Sequence, residues 1–237
     1  PGLAQLASYA SFSVAFFARP LGGLVFGHFG DRMGRKSTLV ASLMLMGIST
    51  VLIAFLPTYA MIGWVAPALL CLLRFGQGLG LGGEWGGASL LAVENAPRGW
   101  ANRYGAFPPL GAPVGFIFAN GFFLILGGLL SDDQFREWGW RLPFLASAAL
   151  VALGLWVRVR LTETPAFVAG QHAAPPPRHP VGELFRDHWL PTLAGTVGTV
   201  ACFALFYIST VFIIGYATKG LGYDRETFLA VELVAIL

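Results

Sequence analysis

Charge is what this sequence has least of. Only 12 acidic and 15 basic side chains occur in 237 residues, 11% of the chain, against 56% hydrophobic residues. A soluble domain of this length carries about a quarter of its residues charged, so a water-soluble globular fold is excluded. Cysteine is nearly absent as well: Cys71 and Cys202 each lie inside an apolar run, which leaves no disulfide framework and no thiolate metal site. The four histidines lack ligand spacing. No Walker loop, nucleophile elbow or zinc motif is present, so neither a catalytic residue nor a cofactor is expected. The formal charge of +3 is not gathered into a basic patch with interleaved aromatics, which argues against a nucleic-acid partner.

What the chain does have is a series of long apolar runs separated by short polar clusters. Residues 2–29, 37–56, 67–93, 104–130, 142–157 and 189–218 read as six whole spans of a lipid bilayer, and 228–237 as the beginning of one more. The shortest, 142–157, is extended into the interfaces by Trp140 and Arg158. Pro108, Pro109 and Pro113 are expected to kink the span they occupy. Residues 131–141 read as a hydrophilic loop. Pro175, Pro176, Pro177 and Pro180 mark 160–188 as a linker, with a short amphipathic piece at 181–186. The fold class is therefore an all-α polytopic membrane protein, divided into a helical bundle (1–159), a linker (160–188) and the start of a second bundle (189–237). Counting Lys and Arg on alternate loops gives nine on the side containing residues 27–36 and the linker, and four on the other, so the first side is cytoplasmic. Pro1 opens almost directly into an apolar run and Leu237 stops inside another, which reads as a piece of a longer chain. By itself such a piece is expected to carry no transport.

The most distinctive stretch is G-H-F-G-D-R-M-G-R-K at 27–36. Gly27, Gly30 and Gly34 allow a tight turn and a close approach of two helix ends. Asp31 is placed to accept hydrogen bonds from the free N–H groups of the next helix, while Arg32, Arg35 and Lys36 hold the turn at an anionic membrane surface. Four other stretches accompany it: F-F-A-R-P-L-G-G at 16–23, R-F-G-Q-G-L-G-L-G-G-E-W-G-G-A at 74–88, G-W-R-L-P-F at 139–144 and R-L-T-E-T-P-A-F at 160–167. The hinge resembles the signature loop between the second and third helices of the major facilitator superfamily. The full set resembles its metabolite:proton symporters, the carriers of citrate, 2-oxoglutarate, shikimate, and proline or betaine. That resemblance implies helices two to seven and the start of helix eight of a twelve-helix fold in the cell inner membrane, with a monomer as the full-length unit. One departure stands out. Where this group often carries an acidic or amide pair on helix seven, Ala201, Cys202 and Phe203 precede the Phe206–Tyr207 dipeptide.

On a helical wheel, Arg74, Gln77 and Glu84 share an arc of about 80°, while Gly76, Gly80, Gly83 and Gly87 form a separate smooth stripe. The smooth stripe suits close packing of a neighbouring helix, and the polar arc requires a bundle interior or water-filled cavity. Arg74 either binds an anionic substrate through its planar fork or bonds backbone carbonyls. Glu84 either exchanges a proton or forms a permanent ion pair with Arg19, and the Arg19 pairing is the favoured structural reading. At the cytoplasmic face Glu94 and Arg103 either form an ion-pair network with Arg32 or Arg35 that opens and closes with conformation, in a gate that includes Asp31, or are solvated interface charges. The function these residues imply is secondary transport of a small polar metabolite, an organic acid or zwitterion, with the proton as coupling ion. A polytopic sensor or membrane enzyme is the alternative.

Overall fold

A computed structural model describes residues 2–160 and 180–236. The proline-rich centre of the linker and most of the R-L-T-E-T-P-A-F stretch lie outside the described residues. The described elements are helices: α1 (Gly2–Met33), α2 (Arg35–Ala54), α3 (Tyr59–Ile62), α4 (Val65–Glu94), α5 (Ala101–Gly105), α6 (Phe107–Leu129), α7 (Asp132–Glu137), α8 (Leu142–Arg160), α9 (Pro180–Asp187), α10 (Trp189–Tyr207), α11 (Ile213–Lys219) and α12 (Arg225–Ile236). Six of the helical runs are long and apolar enough to cross a membrane, the last joining α10 and α11 as Trp189–Lys219. Their outer faces are strongly apolar. Phe17, Phe118 and Leu129 are each more than 70% exposed, which suits hydrocarbon rather than water.

The hinge differs from its expected form. α1 runs on through Asp31 to Met33, and a single residue, Gly34 at φ 102°, separates it from α2. That backbone region is nearly closed to residues with a Cβ, so the whole reversal is concentrated at one glycine. Gly34 is itself the N-cap of α2, and its carbonyl accepts from the Thr38 N–H at 3.3 Å and the Thr38 hydroxyl at 2.9 Å. Asp31 therefore does not cap: it lies exposed in the last turn of α1. The close approach is at Gly30, against the Thr38 side chain, whereas Gly27 faces open space.

The chain divides into two compact units, Pro1–Leu110 with Trp140–Pro176, and Gly111–Gly139 with Pro177–Leu237. In the first, α4 packs against both α1 and α2, and α8 packs on α2. The smooth stripe expected to seat one neighbour is shared between these two. Gly76, Gly80 and Gly87 face Ser49, Ser42 and Leu39 of α2, while Gly83 faces Phe26 of α1. The closest approach of α1 uses two glycines outside that stripe. A Cβ at Gly78 or Gly82 would overlap the carbonyl of Ala15 or Arg19, and one at Gly22 of α1 would overlap the carbonyl of Leu79. With helix backbones this close, the core along α4 is built of small residues, Ala15 and Ala18 of α1 and Ser42 and Ser49 of α2 among them.

Two local expectations shift. Pro108 and Pro109 fall in the first turn of α6, where a missing N–H costs nothing, so they start the helix and only Pro113 lies inside it. The loop at 131–141 contains α7, opened by a reciprocal capping box between Ser131 and Gln134. Ser131→Ala should cost about 1 kcal/mol locally, seen as faster amide hydrogen exchange over α7.

In the second unit α10 passes into α11 through a π-helical turn, Ile208–Phe212. There the Ser209 and Thr210 hydroxyls donate to carbonyls of the preceding turn, at 2.8 Å to Leu205 and 2.6 Å to Phe206. Asp224 caps α12, accepting from the Thr227 N–H at 2.9 Å, so that helix begins at Arg225 rather than 228.

Candidate functional site

The polar arc of α4 lies between its two glycine seams. Its members leave in different directions. Arg74, on the edge nearer α1, places its guanidinium 5.6 Å from the centre of the Phe12 ring. Phe12 meets Phe16 edge to face at 5.1 Å, and Arg19 lies 4.2 Å over Phe16. Two cations from two helices thus flank one aromatic pair, whose ring faces attract them electrostatically. Among the described residues Arg74 has no carboxylate partner, and its buried Nε makes no hydrogen bond.

On the other edge, Gln77 donates its amide to the Thr50 hydroxyl of α2 at 2.8 Å, and that hydroxyl donates to the Met46 carbonyl at 2.7 Å. Glu84 forms an ion pair with Arg158 of α8, not with Arg19. The correction has its cause in helix geometry. Gly82 is the residue pressed on the Arg19 backbone, and two residues further on the side chain points about 200° away, toward α2 and α8. Arg158 also donates to the Leu39 carbonyl of α2, so one guanidinium ties α2, α4 and α8 together. The Glu84–Arg158 pair is mostly shielded, with 20% and 15% of the two side chains exposed.

About three turns further along α4, Glu94 pairs with Arg35 of α2, both side chains less than one-fifth exposed. Arg103 does not join them. It is exposed and stacks over Trp100 at 4.6 Å. Asp31 and Arg32 are exposed in the last turn of α1. Of the expected network, then, Arg35 and Glu94 are brought together.

Sequence reasoning missed Arg158, Thr50, Phe12 and Phe16. A usable signal existed for the first: a carboxylate within a span needs a counter-charge, and Arg158 was within reach of one from the end of α8. Chemically, the first unit offers at Arg74 a cation without a carboxylate partner among the described residues, and two clasped ion pairs nearer the hinge. Among the described residues no group of three or more His, Cys, Asp or Glu could hold a metal ion.

Residues 3–174 match the sugar (and other) transporter family. The inner membrane metabolite transport protein YhjE of Escherichia coli (strain K12) is 55% identical over 241 residues, covering 100% of this chain and 55% of that protein. The shikimate transporter of the same organism is 43% identical over 236 residues, covering 99% and 54%. The chain spans about half the length of these curated relatives. Among solved structures, a D-xylose-proton symporter aligns with a TM-score of 0.68 at 17% identity, over 97% of this chain and 56% of that one, a likeness of fold.

Proposed function

The chain belongs to the sugar (and other) transporter family of the major facilitator superfamily, and from that premise we propose that the full-length protein carries a small organic acid or zwitterion across the inner membrane by proton symport with alternating access. The observation that carries this reading is Arg74: a guanidinium on the polar arc of a membrane-crossing helix, held on the face of Phe12 without a carboxylate partner among the described residues. Such a cation is too costly to keep inside a bundle unless something anionic visits it, and a carboxylate fits its planar fork with two parallel hydrogen bonds. The shikimate carried by a relative of this chain is a molecule of that kind, a polar ring bearing one carboxylate.

The remaining residues have roles in the same cycle. Glu84 is the coupling group, exchanging Arg158 for a proton as the bundle rearranges, and Gln77 fixes the height of α4 against α2. Arg19 flanks the substrate position through the shared aromatic pair. The Arg35–Glu94 pair closes the cytoplasmic side, with Asp31, Arg32 and Arg103 on its rim. The hinge and the linker at 160–188 face the cytoplasm, joining a first bundle over 1–159 to a second that begins at 189.

The test is uptake of labelled shikimate and a panel of other hydroxy acids and zwitterions by proteoliposomes of the full-length protein, with and without an inward proton gradient. Arg74→Ala should lower uptake about a hundredfold, as for loss of one partner of a desolvated charge contact. Arg74→Lys keeps the charge but loses the fork and should lower it about tenfold. Unchanged binding and uptake in Arg74→Lys would remove Arg74 from the substrate. Wild-type uptake indifferent to the gradient would remove proton symport.

A further inference from the structure

The second unit contains an acid with no part in that cycle. Glu232 lies on α12, on the same inward face as Leu229 one turn earlier; the two residues are 7% and 5% exposed. Neither carboxyl oxygen of Glu232 has a hydrogen-bond partner among the described residues. It contrasts with Glu84, whose charge is met by Arg158.

Among the described residues the surroundings offer no counter-charge at its level. α11, which packs on α12, carries Tyr216 and Lys219, both exposed, and Lys219 lies at the far end beside the Gly220–Asp224 connection. α6 borders α12 where Gly127 lies beside the Glu226 carboxylate, and its sequence contains no ionisable residue. The α6 amide, Asn120, is used within its own helix, donating to the Phe116 carbonyl at 3.0 Å. α10 carries Cys202 and Tyr207, the former exposed. Glu226, also on α12, lies about 9 Å back along the helix axis. An ionised carboxylate in that position has exchanged its water shell for nothing, whereas a bound proton leaves it neutral. A metal ion would require several further oxygen ligands that these elements do not supply.

We propose that Glu232 is a proton-binding site of the second unit: it holds a proton in the conformation of this structure and releases it when α12 parts from the helices that cover it. This rests on the proton-symport reading and adds to it a coupling carboxylate outside the first bundle. Binding is simple association of a proton with a carboxylate oxygen, and release returns the proton to water on the side then open.

The experiment uses the full-length protein and has two readouts. The first is modification by dicyclohexylcarbodiimide, an apolar reagent to which a protonated carboxyl adds across the C=N bond, rearranging to an N-acylurea with nothing lost. Peptide mass spectrometry should find the adduct on Glu232 at pH 6 and about tenfold less of it at pH 9, as a titrating carboxyl requires. The second is the substrate accumulation ratio under a proton gradient. In Glu232→Gln it should fall to near unity, while Glu232→Asp, which can still take a proton, should retain accumulation with a displaced pH profile. Thermal melting of the Gln variant in detergent, within a few degrees of wild type, shows that the fold persists. A gradient-driven wild type with no adduct on Glu232, or with full accumulation in Glu232→Gln, overturns this assignment alone. A wild type indifferent to the gradient overturns the symport reading instead, since labelling reports protonation independently of transport.

Discussion

Arg158→Ala in the full-length protein is expected to destabilise the first unit by about 3–5 kcal/mol, the usual consequence of stranding one member of a shielded ion pair. Glu84 would keep its charge with no cation beside it, and the Leu39 carbonyl would lose the same guanidinium as donor. For a unit of this size that corresponds to a fall in melting temperature of about 6–20 °C in detergent. Glu84→Gln should be milder, because it leaves a guanidinium that still has the Leu39 carbonyl. Combining it with Arg158→Gln should recover most of the loss, since both charges then disappear together. A thermal double-mutant cycle reads the coupling directly. Single variants that melt with wild type would show that the pair holds nothing together. In transport, Glu84→Gln should abolish accumulation against a gradient, and persistence of gradient-driven accumulation would take coupling away from Glu84.

The α1–α4 seam should be still less tolerant. At Gly78 a Cβ would lie 2.8 Å from the Ala15 carbonyl carbon and 2.9 Å from its Cα, and the figures at Gly22 against Leu79 are the same. Backbone cannot swing aside as a side chain can, so even alanine forces the helices apart. Overpacking of this kind costs about 1–3 kcal/mol for one methyl group, and Gly78→Leu or Gly82→Leu should yield no monodisperse protein by size-exclusion chromatography. Gly86 on the same helix provides the control. It faces open space, so Gly86→Ala should be neutral or stabilising by up to about 1 kcal/mol from helix propensity. If Gly78→Ala behaved like Gly86→Ala, the close crossing would be wrong.

The spans, the hinge and the polar arc of α4 were legible because each is a local signal. Hydropathy over 20 residues, a run of charge between two such runs, and the angle between Arg74 and Glu84 require no knowledge of neighbours. Partners were not legible, because they depend on which helix occupies which side. Arg158 looked like one more basic residue at a membrane surface, and its inward turn is understood only once α8 is known to lie on α2. The Gly78–Gly82 seam was hidden for a different reason. Glycines occur on several faces of α4, so periodicity alone could not say which of them another backbone would touch. Asp31 was misread because one glycine at positive φ needs no side-chain cap to end one helix and begin the next.

The π-helical turn at Ile208–Phe212 bears on how sequences of this kind are compared. A wide turn of that type accommodates one residue more than an α-helix would, rotating the rest of the span by about 100°. Positions on either side of it are therefore not related by ordinary helical spacing, although hydropathy shows a single uninterrupted span. A relative lacking that residue could align without a visible break in composition and still present Ala217 to a different neighbour. Across this span, the helical wheel has to be started afresh at Ile213.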